Sequence, residues 1–271
     1  MNECNGLNVP LDRSIKLVST ASAASTNSTA ALPAAAALNG DDTTRYQSIV
    51  GKLMYAMIAT RPDLAFAVST LGRFNAAPNA THLEAAKKTL RYLRKTSNVG
   101  LVFSPTPSID LIGYCDSDWA GDLDSRRSTT GYAFLLSNGA ISWKSRRQQT
   151  VALSSTEAEY MAVTDASKEG IWLRRLYNEI KLWNPTLHSQ DQVQPQIIMV
   201  DNNGAIELAK NPKHHDRTKH IDIRHHFVRE AIESKLIELQ RVDTSLNTAD
   251  ILTKALSVDL YQRHAKGLGL Q

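Results

Sequence analysis

Residues 109–119, IDLIGYCDSDW, and residues 129–145, TTGYAFLLSNGAISWKS, decide how this chain folds. In both runs apolar and aromatic residues recur at the spacing of strands, and Ser137-Asn138-Gly139 divides the second run with the composition of a tight hairpin turn. Three consecutive strands are predicted. Toward the C-terminus the period lengthens to that of a long helix from about Ser155 to Ile180. An apolar strand QIIMV follows, then helices over NNGAIELAK and IDIRHHFVREAIES, a strand LIELQRV, and a last helix over TADILTKAL. An antiparallel hairpin feeding a parallel βαβ portion makes an α/β domain, a mixed five-stranded sheet flanked by helices.

Toward the N-terminus the pattern is helical between Arg45 and Thr96: YQSIVGKLMYAMIA, PDLAFAVSTLGRF with proline at a first-turn position, and THLEAAKKTLRYLRKT. These predict a small all-α segment ahead of the sheet. From Leu17 to Gly40 the chain is almost wholly Ala, Ser and Thr, without bulky side chains to build a core, and reads as a flexible linker. The organisation expected is a leader and low-complexity linker over 1–44, a helical segment over 45–106 and the α/β domain over 107–271.

A chain of 271 residues with 42% hydrophobic positions has room for a substantial core. Its two cysteines, Cys4 and Cys115, match no zinc or disulfide spacing, so the chain reads as intracellular. Nowhere do eighteen apolar residues run together, and the start lacks a secretory pattern, so no membrane is expected. A net charge of +4 with pI near 9.0 suits a polyanionic partner, because clustered Lys and Arg bind phosphates with release of counterions. The basic run Lys87, Lys88, Arg91, Arg94 and Lys95 is one candidate contact. Arg126, Arg127, Lys144, Arg146 and Arg147, flanking the hairpin, are another. For each group the competing reading is a solvated surface.

Four acids stand where strands end and helices begin. Asp116 lies inside a hydrophobic strand, where an acid is unfavourable unless something pairs with it, and Asp118 points to the same face. Glu159 begins the stripe Ala162, Ala166, Leu173, Leu176 and Ile180 that packs on the sheet, whereas Glu157 fits a first-turn role beside the helix dipole. Asp201 follows the apolar strand QIIMV, where ligands of α/β sheets gather; alone it also reads as a helix N-cap. Asp250, in the first turn of the last helix, reads alone as a dipole-stabilising acid. Together they suit two divalent cations, since hard cations take anionic oxygen ligands and repel each other unless several carboxylates converge.

With those residues in view, the chain resembles the C-terminal region of copia-type LTR retrotransposon Pol polyproteins. YQSIVGKLMYAMIATRPDLAFAVSTLGRF and HLEAAKKTLRYLRKTSNVGLVF are similar to the helical segment after the polymerase palm. YCDSDWAGDLDSRRSTTGYAFLL, ISWKSRRQQTVALSSTEAEYMA, VDNNGAIELAKNP, RTKHIDIRHHFVRE and NTADILTKAL are similar to the family's ribonuclease H domain. The resemblance implies a ribonuclease H-like fold and an Asp-Glu-Asp-Asp site at Asp116, Glu159, Asp201 and Asp250. That site would hold two Mg²⁺ ions, with Mn²⁺ able to substitute. One ion would activate the attacking water and the other would stabilise the leaving 3′ oxygen. It further implies an RNA–DNA hybrid as substrate, other retrotransposon Pol or Gag products as partners, and cytoplasmic virus-like particles and the nucleus as locations. No Tyr-x-Asp-Asp motif is present, so no polymerase active site is expected.

Two other readings compete. A non-catalytic nucleic-acid-binding remnant would keep the fold, and a transposase or integrase shares the architecture but not the order Asp, Glu, Asp, Asp. The histidines of KHHDRTKHIDIRHHF invite a metal reading too, but without cysteine they are better read as solvated or phosphate-contacting.

Overall fold

A computed structural model describes residues 4–19, 37–104, 110–183, 194–210 and 222–271, with backbone alone for 181–183 and 222–225. Most of the Ala/Ser/Thr linker, the boundary at 106/107 and most of the histidine-rich stretch lie outside the described residues. Among the described residues, no helix is long and apolar enough to cross a membrane.

The three predicted N-terminal helices are α1 (Gly40–Ala59), α2 (Ala65–Gly72) and α3 (Ala80–Lys95), with a 3-10 turn at Pro62–Leu64 before α2. Asparagine caps start two of them: Asn39 accepts from Asp42 N, and Asn79 exchanges hydrogen bonds with His82 in a capping box. The predicted hairpin is β2 (Thr129–Leu136) and β3 (Gly139–Arg147), following β1 (Ile112–Asp118). Ser137 and Asn138 between them both have positive φ, 51° and 64°, the tight turn whose twist matches paired strands. Next come α4 (Ser155–Trp183), β4 (Gln196–Val200), α5 (Asn203–Lys210), α6 (Asp222–Glu233), β5 (Ile237–Arg241) and α7 (Val258–Gly267).

The sheet order is β3-β2-β1-β4-β5, antiparallel from β3 to β1 and parallel from β1 to β5. This is the mixed five-stranded sheet flanked by helices that the sequence predicts. One face packs Cys115, Phe134, Ile198 and Leu239 against Tyr160, Val163 and Ala166 of α4, with α5 and α6 beside it. Phe134 is fully buried between Gly113 and Gly170, where added Cβ atoms would meet its ring at 2.5 and 3.0 Å. Burying such a ring contributes roughly 2–3 kcal/mol.

The opposite face carries Ala133 and Ala140, which join one core with Tyr46, Leu53, Leu64 and Leu71 of the helical segment and with Ile251, Leu252 and Tyr261 near the C-terminus. The helical segment is therefore a layer on the sheet. A buried polar knot ties it there: Arg61 pairs with Asp63 at 2.8 Å, Tyr92 donates to Asp63 at 2.5 Å, and Tyr261 donates to the Asp63 carbonyl at 2.8 Å.

Two details depart from the sequence reading. Leu176 and Ile180, placed on the buried stripe of α4, are 40% and 52% exposed. A 29-residue helix is about 44 Å long, whereas seven-residue β1 runs about 23 Å, so the last turns of α4, after the buried Leu173, extend past the sheet. TADILTKAL is not one α-helix but a 3-10 turn at Thr248–Leu252, and the last helix is α7, which begins after Ser257. Bonds from residue i to i+3 leave no 3.6-residue period to read.

Candidate metal centre

Asp116 sits inside β1, opposite Gly131 of β2, and is 2% exposed. Glu159, in the first turns of α4, is 6% exposed. Asp201 directly follows Val200, the last residue of β4. Because β1 and β4 are neighbours and α4 crosses both, one carboxylate oxygen from each acid comes within 4.8 Å of the others.

The electrostatics are those of an acid cluster with one nearby ammonium, that of Lys254. Glu159 Oε1 accepts from Ser117 N at 3.3 Å, while Oε2 is buried with no hydrogen-bond partner among the described residues. Burial, then the charges of Asp116 and Asp201, push its pKa up to about 9. Burial likewise lifts Asp116 to about 7, opposed by the Lys254 ammonium and reinforced by Asp250. Burial also raises Asp118, which is half-buried two residues on. Hard oxygen donors, buried and short of partners, fit a divalent cation.

Asp250 is attached differently. Its Oδ1 lies 3.0 Å from Lys254 Nζ, which also stands 3.7 Å from Asp116 Oδ2. Burial works against the ammonium, yet Asp116 and Asp250 together raise its pKa. The Thr253 hydroxyl donates a short hydrogen bond to Asp116 Oδ2. Asn247, fully buried, donates to the Cys115 carbonyl at 3.0 Å and caps the turn through Ala249 N. Gly131 makes room: a Cβ there would meet Thr253 Cγ2 at 2.6 Å and Leu252 Cβ at 2.8 Å. Glycine opposite Asp116 is what lets this turn reach β1.

Two competing readings are settled by neighbours. The cap of α5 belongs to Asn202, whose Oδ1 accepts from Ala205 N at 3.0 Å, so Asp201 is not the cap. Glu157 closes the start of α4, accepting from Leu153 N at 2.8 Å while its own N–H donates to Ser154 Oγ.

The basic candidates fall into two places. On α3, Lys87 pairs with Glu84, and Arg91, Arg94 and Lys95 donate to the Asn5 carbonyl, the Cys4 carbonyl and Asn8 Oδ1. These three therefore bind the chain's own N-terminal segment. At the other place Arg146 and Arg147 align across β2 with Ser117 and Asp118, at the same sheet end as the acids. With Arg127 and Arg73 they line a groove of about 380 Å³. Buried Asp122 holds Arg73 at 2.9 Å and Arg147 at 2.5 Å. Lys144 lies over the Tyr132 ring, and Arg126 stands in the β1–β2 loop at φ 55°.

Sequence reasoning missed Lys254, Thr253, Asn247, Gly131, Arg73 and Asp122. For Lys254 a signal existed, four residues after Asp250, the spacing at which opposite charges meet on a helix. The others depend on contacts distant in sequence.

No model of a protein family matches the chain. Among solved structures, the N-terminal RNase H domain of a Mycobacterium tuberculosis protein, solved fused to maltose-binding protein, aligns with a TM-score of 0.34 at 13% identity. That alignment covers 59% of this chain and 98% of that one. The retrovirus-related Pol polyprotein from transposon TNT 1-94 of Nicotiana tabacum is 47% identical over 211 residues, 78% of this chain and 15% of that polyprotein. The one from transposon RE1 of Arabidopsis thaliana is 40% identical over 229 residues, 84% of this chain and 15% of its own length. A secreted RxLR effector protein, number 161, of Plasmopara viticola is 54% identical over 128 residues, 47% of this chain and 90% of that protein. The chain spans about 15% of the length of the Pol relatives it matches. With those identities over most of its residues, the chain is a homologue of retrovirus-related Pol polyproteins from transposons and fits a copia-type Pol polyprotein region.

Proposed function

We propose that this chain is a ribonuclease H region that hydrolyses the RNA strand of RNA–DNA hybrids with two divalent cations, Mg²⁺ or in its place Mn²⁺. The observation that carries the reading is the convergence of Asp116, Glu159 and Asp201 within 4.8 Å, with Glu159 Oε2 lacking a partner. Asp116, Glu159 and Asp201 would hold one ion, and Asp116 with Asp250 the other. Such ions supply an acidified water and neutralise charge on the phosphate being cleaved.

The protein's own groups orient and bind. Thr253 fixes the rotamer of Asp116, Ser117 N holds one oxygen of Glu159, and Asn247 anchors the Asp250 turn on β1. Arg126, Arg127, Lys144, Arg146 and Arg147, joined by Arg73, would line the path of a phosphate backbone entering the acid cluster. The hybrid would be sensed through its backbone and 2′-OH groups rather than its bases. Lys87, Lys88, Arg91, Arg94 and Lys95 would add a second contact, in which phosphates compete with residues 4–8 for three of the cations. Other Pol or Gag products are the proposed partners, and the cytoplasmic virus-like particle and the nucleus the proposed locations.

A hybrid labelled on its RNA strand, incubated with the purified chain in Mg²⁺ and in EDTA, tests this. Cleavage of RNA in the hybrid, with Mg²⁺ only and with single-stranded RNA spared, is the expected result. Hybrid binding without cleavage in Mg²⁺ or Mn²⁺ would leave the non-catalytic remnant in its place.

A further inference from the structure

The two halves of the acid cluster are not equivalent. Among the described residues no basic side chain forms an ion pair with Glu159 or Asp201, whereas Asp250 and Asp116 share one ammonium, that of Lys254, at 3.0 and 3.7 Å. Every acid in that second half is already neutralised in part by a cation of the chain itself. The lysine is not sealed in, since its side chain is 35% exposed. A flexible four-carbon stem with an open side can swing its charge into solvent without unfolding the turn that carries it.

Resting on the metal-dependent reading above, we propose that Lys254 is a built-in counter-cation for the Asp116–Asp250 half of the site. A divalent ion enters that half by displacing the ammonium, after the Asp116–Glu159–Asp201 half has filled. The first half shares only Asp116 with the ammonium, while Glu159 and Asp201 pair with no cation among the described residues, so an ion there relieves repulsion against little competing charge. In the second half an ion exchanges for a charge of the same sign, and its apparent affinity is lowered by what the lysine contributed. A unit charge at 3.0 Å is worth on the order of a factor of ten even at the dielectric of bulk water. Once displaced, the ammonium turns to solvent beside the acid cluster, available to a phosphate oxygen.

The test is a calorimetric Mn²⁺ titration of the full chain, with melting temperatures in EDTA, for the parent, Lys254→Met, Lys254→Arg and Asp250→Asn. The parent should bind two ions in separated steps. Lys254→Met should tighten the second step on the order of tenfold, tighten the first by less, through Asp116 alone, and melt lower than the parent in EDTA. Lys254→Arg should follow the parent, and Asp250→Asn should lose the second step alone. If Lys254→Met fails to fold, Lys254→Gln keeps the stem and takes its place.

A lower melting temperature with both Mn²⁺ affinities unchanged would make Lys254 a structural counter-ion only and overturn the inference. A second step weakened by the loss of Lys254 would overturn it too, since the ammonium would then be assisting the ion. No Mn²⁺ binding by the parent would instead bring down the metal-dependent reading itself.

Discussion

Glu159→Gln should stabilise the metal-free protein at neutral pH while weakening its response to Mg²⁺. The Glu159 carboxyl is raised from 4.5 to about 9 by burial and by the nearby charges of Asp116 and Asp201. An acid raised in this way supports the fold fully below its unfolded pKa, and that support drains as pH climbs toward the folded value. The window runs from about 4.5 to about 9. At pH 7 the metal-free fold has lost about 2.5 pH units' worth at about 1.4 kcal/mol each, on the order of 3 kcal/mol. Glutamine keeps the shape and can still accept from Ser117 N, but it has no charge to suppress. For a chain of this size a gain of about 3 kcal/mol is roughly 6–10 °C in melting temperature. Thermal unfolding in EDTA across the window measures it: the parent should melt progressively lower with rising pH, and the variant should hold, with a smaller slope left by Asp116. Saturating Mg²⁺ should flatten the parent's profile and move the variant's less. A parent whose EDTA melting temperature does not fall with pH, or a variant equally destabilised throughout, would refute the reasoning.

Gly131→Ala should push the Leu252–Thr253 turn off β1, at a cost of about 1–3 kcal/mol, and lower cleavage more than folding; a variant with normal activity would remove Gly131 from the positioning of Asp250. Replacing Arg127 and Arg146 by Gln should weaken hybrid binding and reduce its salt slope by close to two, one for each phosphate left without its cation. An unchanged slope would return both to a solvated surface. Glu157→Gln should cost about 1 kcal/mol of stability through the weakened start of α4 and keep cleavage, in contrast to Glu159→Gln; loss of cleavage with Glu157 would exchange their roles.

The elements were legible where local chemistry sets them. Strand alternation around Asp116, the Ser137-Asn138-Gly139 turn, and the alanine-lined start of α4 are written within a few residues of themselves, and so the sheet and three of the four acids could be placed. What could not be read depends on distant partners. Nothing near the Arg61–Asp63 pair says that Tyr92 and Tyr261 close around it, and that knot fixes the helical segment to the sheet. The turn bearing Asp250 lacks a helical period, and its position rests on Asn247 reaching Cys115 across 132 residues. The cations of α3 looked free in sequence because their partners, residues 4–8, come more than eighty residues earlier.

The most direct test of the central claim compares RNA-strand cleavage of a labelled hybrid by the parent and by Asp201→Asn in Mg²⁺, with hybrid affinity measured alongside. Asparagine here removes a ligand charge and leaves the α5 cap on Asn202 intact. Unchanged or tighter hybrid binding with loss of cleavage is the expected result; an Asp201→Asn protein that cleaves like its parent would contradict metal-dependent hydrolysis at this site.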